Sequence, residues 1–202
     1  MSRGAHIILT ILGNNGPYPA AGGACSGYLL SSDSGDTRIL IDCGTGVLNR
    51  LLDECALDEL DAVLLSHLHY DHMSDMLPMQ YALQFHPRPH PLPVYAPEDS
   101  SSALFRLVTS VPCFDFHPVA PGASFSLADA DVRVAAARHP VPAVGYIISH
   151  AGKTFGYTGD TNTLPSLADD FRGCDLLLAD GKIDQLEERL NRIKAKEHES
   201  AN

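Results

Sequence analysis

The sequence predicts a four-layer αββα sandwich, an α/β (α+β) fold with helices outside two facing sheets. Three observations carry that expectation. Strand-like runs fall in two groups along the chain, each followed by helical spacing, which is the order a layered two-sheet domain requires. At 202 residues and 45% hydrophobic side chains, the chain can bury one full core and is too short for two comfortable ones. No repeat or low-complexity run interrupts it.

The elements follow in order. Residues 6–12 (HIILTIL) read as a strand leading into GNNGPYPAAGGACSG, a loop whose glycines and prolines let backbone fold over a site. YLL and RILID read as the arms of a hairpin joined by SSDSGDT. In GTGVLNRLLDECAL, Val47, Leu48, Leu51 and Leu52 have helical spacing. DAVLLSH is apolar and reads as a buried strand. A helix is expected from Pro78 through MQYALQF, since proline suits a first turn. The proline-rich HPRPHPLPVYAP then leads into a short strand, and a helix is expected over residues 101–108. SFSLA, DVRVAAARH, VGYIISH and KTFGYTGDT read as an antiparallel run, with HAGK as a tight turn. A short helix, the strand DLLLAD and a final helix from Lys182 complete the pattern.

The formal charge of -11 argues against general affinity for nucleic acid, which depends on Lys and Arg neutralising phosphates. The five cysteines form no CxxC pair, so a disulfide framework or thiolate zinc site is not expected. No apolar run reaches membrane-spanning length, and MSRGAHIILTILG lacks the pattern of a secretory signal. The expectation is a cytoplasmic protein that does not associate with membranes.

The densest chemistry lies in LLSHLHYDHMSDM, where His67, His69, Asp71 and His72 directly follow an apolar run. In an extended segment residues two apart share a side, so His67, His69 and Asp71 are expected to converge while His72 turns to a neighbouring point. Imidazole and carboxylate are donors that zinc and related divalent ions accept. Four such groups at the end of a buried strand have no other evident compensation for burial.

HLHYDH matches the HxHxDH signature of the metallo-β-lactamase superfamily. ILIDCGTG resembles that family's turn supporting the metal loop, ARHPVPAVGYII the segment with its next histidine, and FGYTGDT the segment with its bridging aspartate. HPVPAVGY and YTGDT look most like the branch of ribonuclease Z and small phosphodiesterases. The resemblance implies His67, His69 and His139 on one ion, Asp71 and His72 on a second, and Asp160 bridging both. It also implies Asp71 as the catalytic residue that orients the attacking water or accepts its proton. The implied cofactor is one or two divalent ions, zinc first, with manganese or iron acceptable to the same donors. The implied activity is hydrolysis of a small phosphodiester. An ester, lactone or thioester hydrolase, or a metal-binding protein with impaired catalysis, are the other readings.

Elsewhere the bland reading is preferred. His86 and His90 are expected to be solvated, His6, His117 and His150 to be satisfied strand residues, and Arg138 to be a surface group. Lys153 and Tyr157 lie near the expected active edge with nothing to separate contact from packing. The chain departs from the family after DLLLAD, so the fold is expected to lack the family's C-terminal end and the second ion its last ligand. Residues 1–181 are then one domain, and 182–202 an amphipathic helix with a polar tail that includes His198. Ile183, Leu186, Leu190 and Ile193 form an apolar stripe that either packs on the domain or pairs two chains into a homodimer.

Overall fold

The computed structural model describes residues 7–179. The expected helix and tail at 182–202, and His6, lie outside the described residues.

The first sheet contains β1 (Ile7–Gly13), β2 (Gly27–Ser32), β3 (Arg38–Ile41), β4 (Ala62–Leu64), β5 (Leu92–Pro97) and β6 (Phe114–Val119), adjacent in that order. The pairs β1/β2 and β2/β3 are antiparallel, and β3 to β6 run parallel. Parallel neighbours need crossover connections, and helices supply them. These are α1 (Val47–Glu54), α2 (Tyr70–Met73), α3 (Met76–Phe85) and α4 (Phe105–Thr109). Alternation along the strands sends Leu29, Leu40, Val63 and Val94 to the helix side, where they pack with Val47, Leu51, Met76, Met79 and Val108.

The second sheet has the order β11 (Leu176–Leu178), β10 (Lys153–Tyr157), β9 (Val144–His150), β8 (Ala130–Ala136), β7 (Ser124–Leu127). It is antiparallel except for β10/β11. The HAGK turn joins β9 to β10 with Ala151 and Gly152 both at positive φ, the backbone a two-residue hairpin of right-handed twist demands. The two sheets meet through Tyr28, Ile39, Ile41 and Leu64 on one side and Val132, Tyr146, Ile148, Phe155 and Tyr157 on the other. On the outer face of the second sheet, α5 (Leu167–Asp170) packs Leu167 and Phe171 on Ala135 and Ile147. Helix, sheet, sheet, helix is the predicted order.

Several elements differ from expectation: α2 has no counterpart in the sequence reading, α4 begins at Phe105 rather than 101, and β6 and α3 differ as well. Strand β6 contains Pro118 and breaks apolar alternation, so it does not read as a strand; as an edge strand it tolerates the missing N–H. Helix α3 starts at Met76, which puts Pro78 third in the first turn, where no intrahelical N–H bond is lost.

Candidate metal centre

The candidate residues gather where β3, β4, β8 and β10 end. After β4 the chain passes through Leu65 and Ser66, the latter anchored by its N–H to Asp42 Oδ1 at 2.7 Å. The next residues are His67, fully buried, and His69, which is still extended (φ -76, ψ 154) and caps α2. Beyond β8, His139 arrives from the second sheet, and beyond β10 comes Asp160. Gly159 at φ 57 makes that last approach; a Cβ there would lie 2.8 Å from Ser66 Cβ.

Three imidazoles face one another. His69 Nδ1 is 3.0 Å from His67 Nε2 and 3.0 Å from His139 Nε2. Asp160 Oδ2 lies 4.0 Å from His67 Nε2 and 3.9 Å from His139 Nε2, while its Oδ1 is 3.2 Å from His72 Nε2. Two donor groups result, His67/His69/His139 and His67/His72/Asp160. A tetrahedral ion with bonds of about 2.0–2.1 Å sets its donors about 3.3 Å apart, so the imidazole spacing suits one.

The local geometric expectation needs one correction. Asp71 does not converge with His67 and His69, because the extended backbone stops at His69 and helix α2 takes over at Tyr70. Asp71 belongs to neither three-residue group and stands beside the second, its Oδ2 3.7 Å from His72 Nε2.

Beneath the donors lies a residue that sequence reading left in a supporting turn. Asp42 is fully buried at φ 55, a left-handed conformation that aspartate tolerates better than most side chains. Its Oδ2 accepts from His72 Nδ1 at 2.7 Å, Ser66 Oγ at 2.8 Å and Tyr157 Oη at 2.6 Å. Ser66 Oγ, its proton committed to Asp42, accepts from His67 Nδ1 at 3.1 Å. These bonds turn the Nε2 atoms of His67 and His72 toward the cluster. Tyr157 therefore contacts the carboxylate beneath the cluster. The signal for it was a tyrosine at the end of an expected strand, whose hydroxyl must find a partner when buried.

The imidazoles are driven apart electrostatically. Burial, reinforced by His72 and His139, lowers the pKa of His67 to about 3 against the pull of Asp42 and Asp160. Burial also acts to lower His72, but the Asp42 and Asp160 carboxylates prevail and raise it to about 11. His139 is lowered, first by burial and then by His69 and His72. His67 and His139 thus present neutral nitrogens, whereas His72 holds a proton between two carboxylates.

The glycine-rich loop closes the edge. Ser26 N–H donates to the Asp71 carbonyl at 3.1 Å, Gly44 N–H to the Ser26 carbonyl at 2.9 Å and Cys43 N–H to the His72 carbonyl at 2.7 Å. Arg50 on α1 holds the loop's base through the Leu12 carbonyl at 2.7 Å. A Cβ on Gly16 would come within 3.1 Å of Asp71 Oδ2, so GNNGPYP does line the site. Gly44 permits the tightest approach, since a Cβ there would lie 1.9 Å from the Asp71 carbonyl oxygen.

The remaining candidates stay outside. His86 and His90 are exposed, His117 pairs with Asp115 at 3.0 Å, His150 with Asp129 at 3.2 Å, and Lys153 with Asp175 at 2.7 Å. Arg138 is exposed, with its backbone tied to the loop after Asp160 through Thr161 Oγ1 and the Asn162 N–H. All five cysteines are free. Among the described residues no helix is long and apolar enough to cross a membrane.

An αββα sandwich carrying a His/Asp cluster at its strand ends defines the metallohydrolase type of protein. The chain belongs to the metallo-β-lactamase superfamily, in its ribonuclease Z-like branch: the family model described as a beta-lactamase superfamily domain matches residues 37–200. The probable metallo-hydrolase YhfI of Bacillus subtilis is 32% identical over 176 residues, covering 85% of this chain and 71% of that protein. The crystal structure of YhfI superposes with a TM-score of 0.77 over 85% of this chain and 69% of that one. Ribonuclease Z of Methanopyrus kandleri is 31% identical over 144 residues, 70% of this chain and 50% of its own length. Human tRNase Z, short form, shares the fold, with a TM-score of 0.70 at 20% identity over 91% of this chain and 83% of that one. The chain thus spans only half of the archaeal relative's length.

Proposed function

We propose that this chain is a metal-dependent hydrolase that cleaves a small phosphodiester. The observation that carries the reading is the placement of the Asp160 carboxylate, one oxygen facing His67 and His139 and the other 3.2 Å from His72 Nε2. His67, His69, His139 and Asp160 would hold one divalent ion; His72, Asp71 and Asp160 would contribute to a second. When bound, such ions supply acidification of water and neutralisation of charge developing on the phosphoryl oxygens. Zinc is the first candidate by donor type, with manganese or iron compatible.

The chain's own residues do the rest. Ser66 and Asp42 fix the tautomers of His67 and His72, so that both keep Nε2 toward the cluster. Holding a cation at His72 Nε2 would require that ring to release its Nε2 proton to solvent. Asp71 then serves as the carboxylate that orients the attacking water or takes its proton, within reach of solvent at the rim. Similarity to proteins named ribonuclease Z supports phosphodiester chemistry. The net charge of -11 favours a small substrate over a polynucleotide.

The test combines metal content with substrate choice. Purified protein should carry a divalent transition ion that His67→Ala and His139→Ala largely lose, and should turn over a chromogenic bis-aryl phosphate faster than a chromogenic cephalosporin. Protein without metal after growth in supplemented medium, or faster cephalosporin turnover, refutes the reading.

A further inference from the structure

Arg138 stands at the rim of the metal centre without a task in it. It directly precedes His139, whose imidazole faces the cluster, and consecutive Cα atoms lie about 3.8 Å apart. Two bonds fasten its backbone to the loop that follows Asp160: its N–H donates to Thr161 Oγ1 at 2.9 Å, and its carbonyl accepts from the Asn162 N–H at 2.8 Å. Pro140, just beyond, stiffens the segment through its fixed φ. Arg138 is exposed, and so is Asn162 beside it.

The other cations are occupied. Arg38, Arg133, Arg172 and Lys153 meet carboxylates, while Arg50 and Arg88 meet backbone carbonyls. Among the described residues only Arg138 and Arg106 lack such a partner, and Arg106 belongs to α4, which contributes nothing to the cluster. The chain has 25 acidic side chains against 14 basic ones, so a guanidinium without a carboxylate, held one residue from a metal donor, is a charge kept for something that arrives from outside.

We infer that Arg138 and Asn162 form a subsite for a second phosphate of the substrate, a terminal phosphomonoester lying outside the diester that is cleaved. This rests on the hydrolase reading above. A guanidinium offers five N–H donors in a fixed fork and a carboxamide two more, a set that matches the oxygens of a phosphate. A phosphomonoester carries a charge of about -1.5 to -2, so its attraction to the guanidinium approaches twice that of a carboxylate and competes better with the field of a chain at -11. A substrate held at both ends has its diester set at the donors by contacts remote from the chemistry.

Calorimetric titration of the metal-loaded protein with thymidine 5′-phosphate and with thymidine 3′,5′-bisphosphate reads the subsite without turnover. The bisphosphate should bind at least about tenfold more tightly, the increment of one charge-assisted contact. Arg138→Gln should bring the two affinities within about twofold of each other, whereas Arg138→Lys should retain part of the difference. Asn162→Asp, which sets a negative charge against the far phosphate, should also remove it. The p-nitrophenyl esters of the same two compounds at the 5′-phosphate carry the test into turnover: the 3′-phosphate should lower KM more than it changes kcat in native protein, and should do neither in Arg138→Gln. Metal content measured for each variant separates lost ions from lost phosphate binding. Equal affinities in the native protein, or a bisphosphate advantage that survives Arg138→Gln, overturns the inference. An Arg138-dependent advantage with no hydrolysis of either ester upholds the subsite and counts against the hydrolase reading.

Discussion

Replacing Asp42 by Asn changes one atom type and should dismantle the support of the metal centre. Asparagine tolerates the φ of 55, so the backbone need not move. The carboxylate, however, meets donors on both oxygens: the Ser66 N–H at Oδ1, and Ser66 Oγ, Tyr157 Oη and His72 Nδ1 at Oδ2. Whichever way the amide is turned, its NH2 faces at least one of these donors. One hydrogen bond to a charged group contributes about 1.5–3 kcal/mol. Removing the partner of a buried charge costs about 3–5 kcal/mol. We expect a loss of about 3 kcal/mol in metal-free protein, or about 6–12 °C in melting temperature for a domain of this size. His72 also loses its principal cation-holding partner, and freeing an imidazole from its orienting carboxylate weakens metal binding by about 10–100-fold. Thermal unfolding with chelator and titration with zinc measure the two effects separately. A melting temperature within about 2 °C of native together with unchanged zinc affinity would refute the role assigned to Asp42.

Two further outcomes follow from the geometry. With chelator present, folded His67 stays neutral down to about pH 3 while the unfolded chain titrates near 6.5, so its contribution is complete above 6.5 and is lost as pH falls. The stability difference between native protein and His67→Gln, read from urea midpoints, should therefore shrink by about 2 kcal/mol from pH 7 to pH 5, and a constant difference contradicts the assignment. Gly44→Ala forces a Cβ to 1.9 Å from the Asp71 carbonyl, whereas Gly122→Ala at φ 88 meets nothing within 4 Å. The first should cost more than about 3 kcal/mol and release metal, the second about 1 kcal/mol, and equal urea midpoints would disprove the clamp.

What could be read from the sequence was set by period and by donor type. Two groups of strands with intervening helices were legible because alternation and 3.6-residue spacing survive in single segments. His67, His69, His72, His139 and Asp160 were legible because an HxHxDH run and a GDT turn carry their chemistry on their face. Asp71 was placed on the wrong side by extending strand periodicity one residue too far, past the point where His69 begins a helix. Asp42, Ser66 and Tyr157 were hidden for a different reason: Asp42 takes its donors from 24 to 115 positions away, which no local pattern encodes. Strand β6 was missed because Pro118 looks like a breaker until its edge position is known.

The donors also have an order of arrival. His67, His69 and His72 descend from the first sheet, whereas His139 and Asp160 come from the second, and the contact between His69 and His139 closes a span of 70 residues. The seam between the sheets is pinned directly below, where Tyr146 of β9 donates to the Leu65 carbonyl at 2.8 Å. Neither half of the chain can assemble the three-imidazole cluster by itself. During synthesis the first half emerges with two histidines of that cluster, a weak and unselective pair, and the full set exists only after the second sheet has docked. The centre is in this sense a clasp fastened last, so tight metal capture reports that the two halves have met in the correct register.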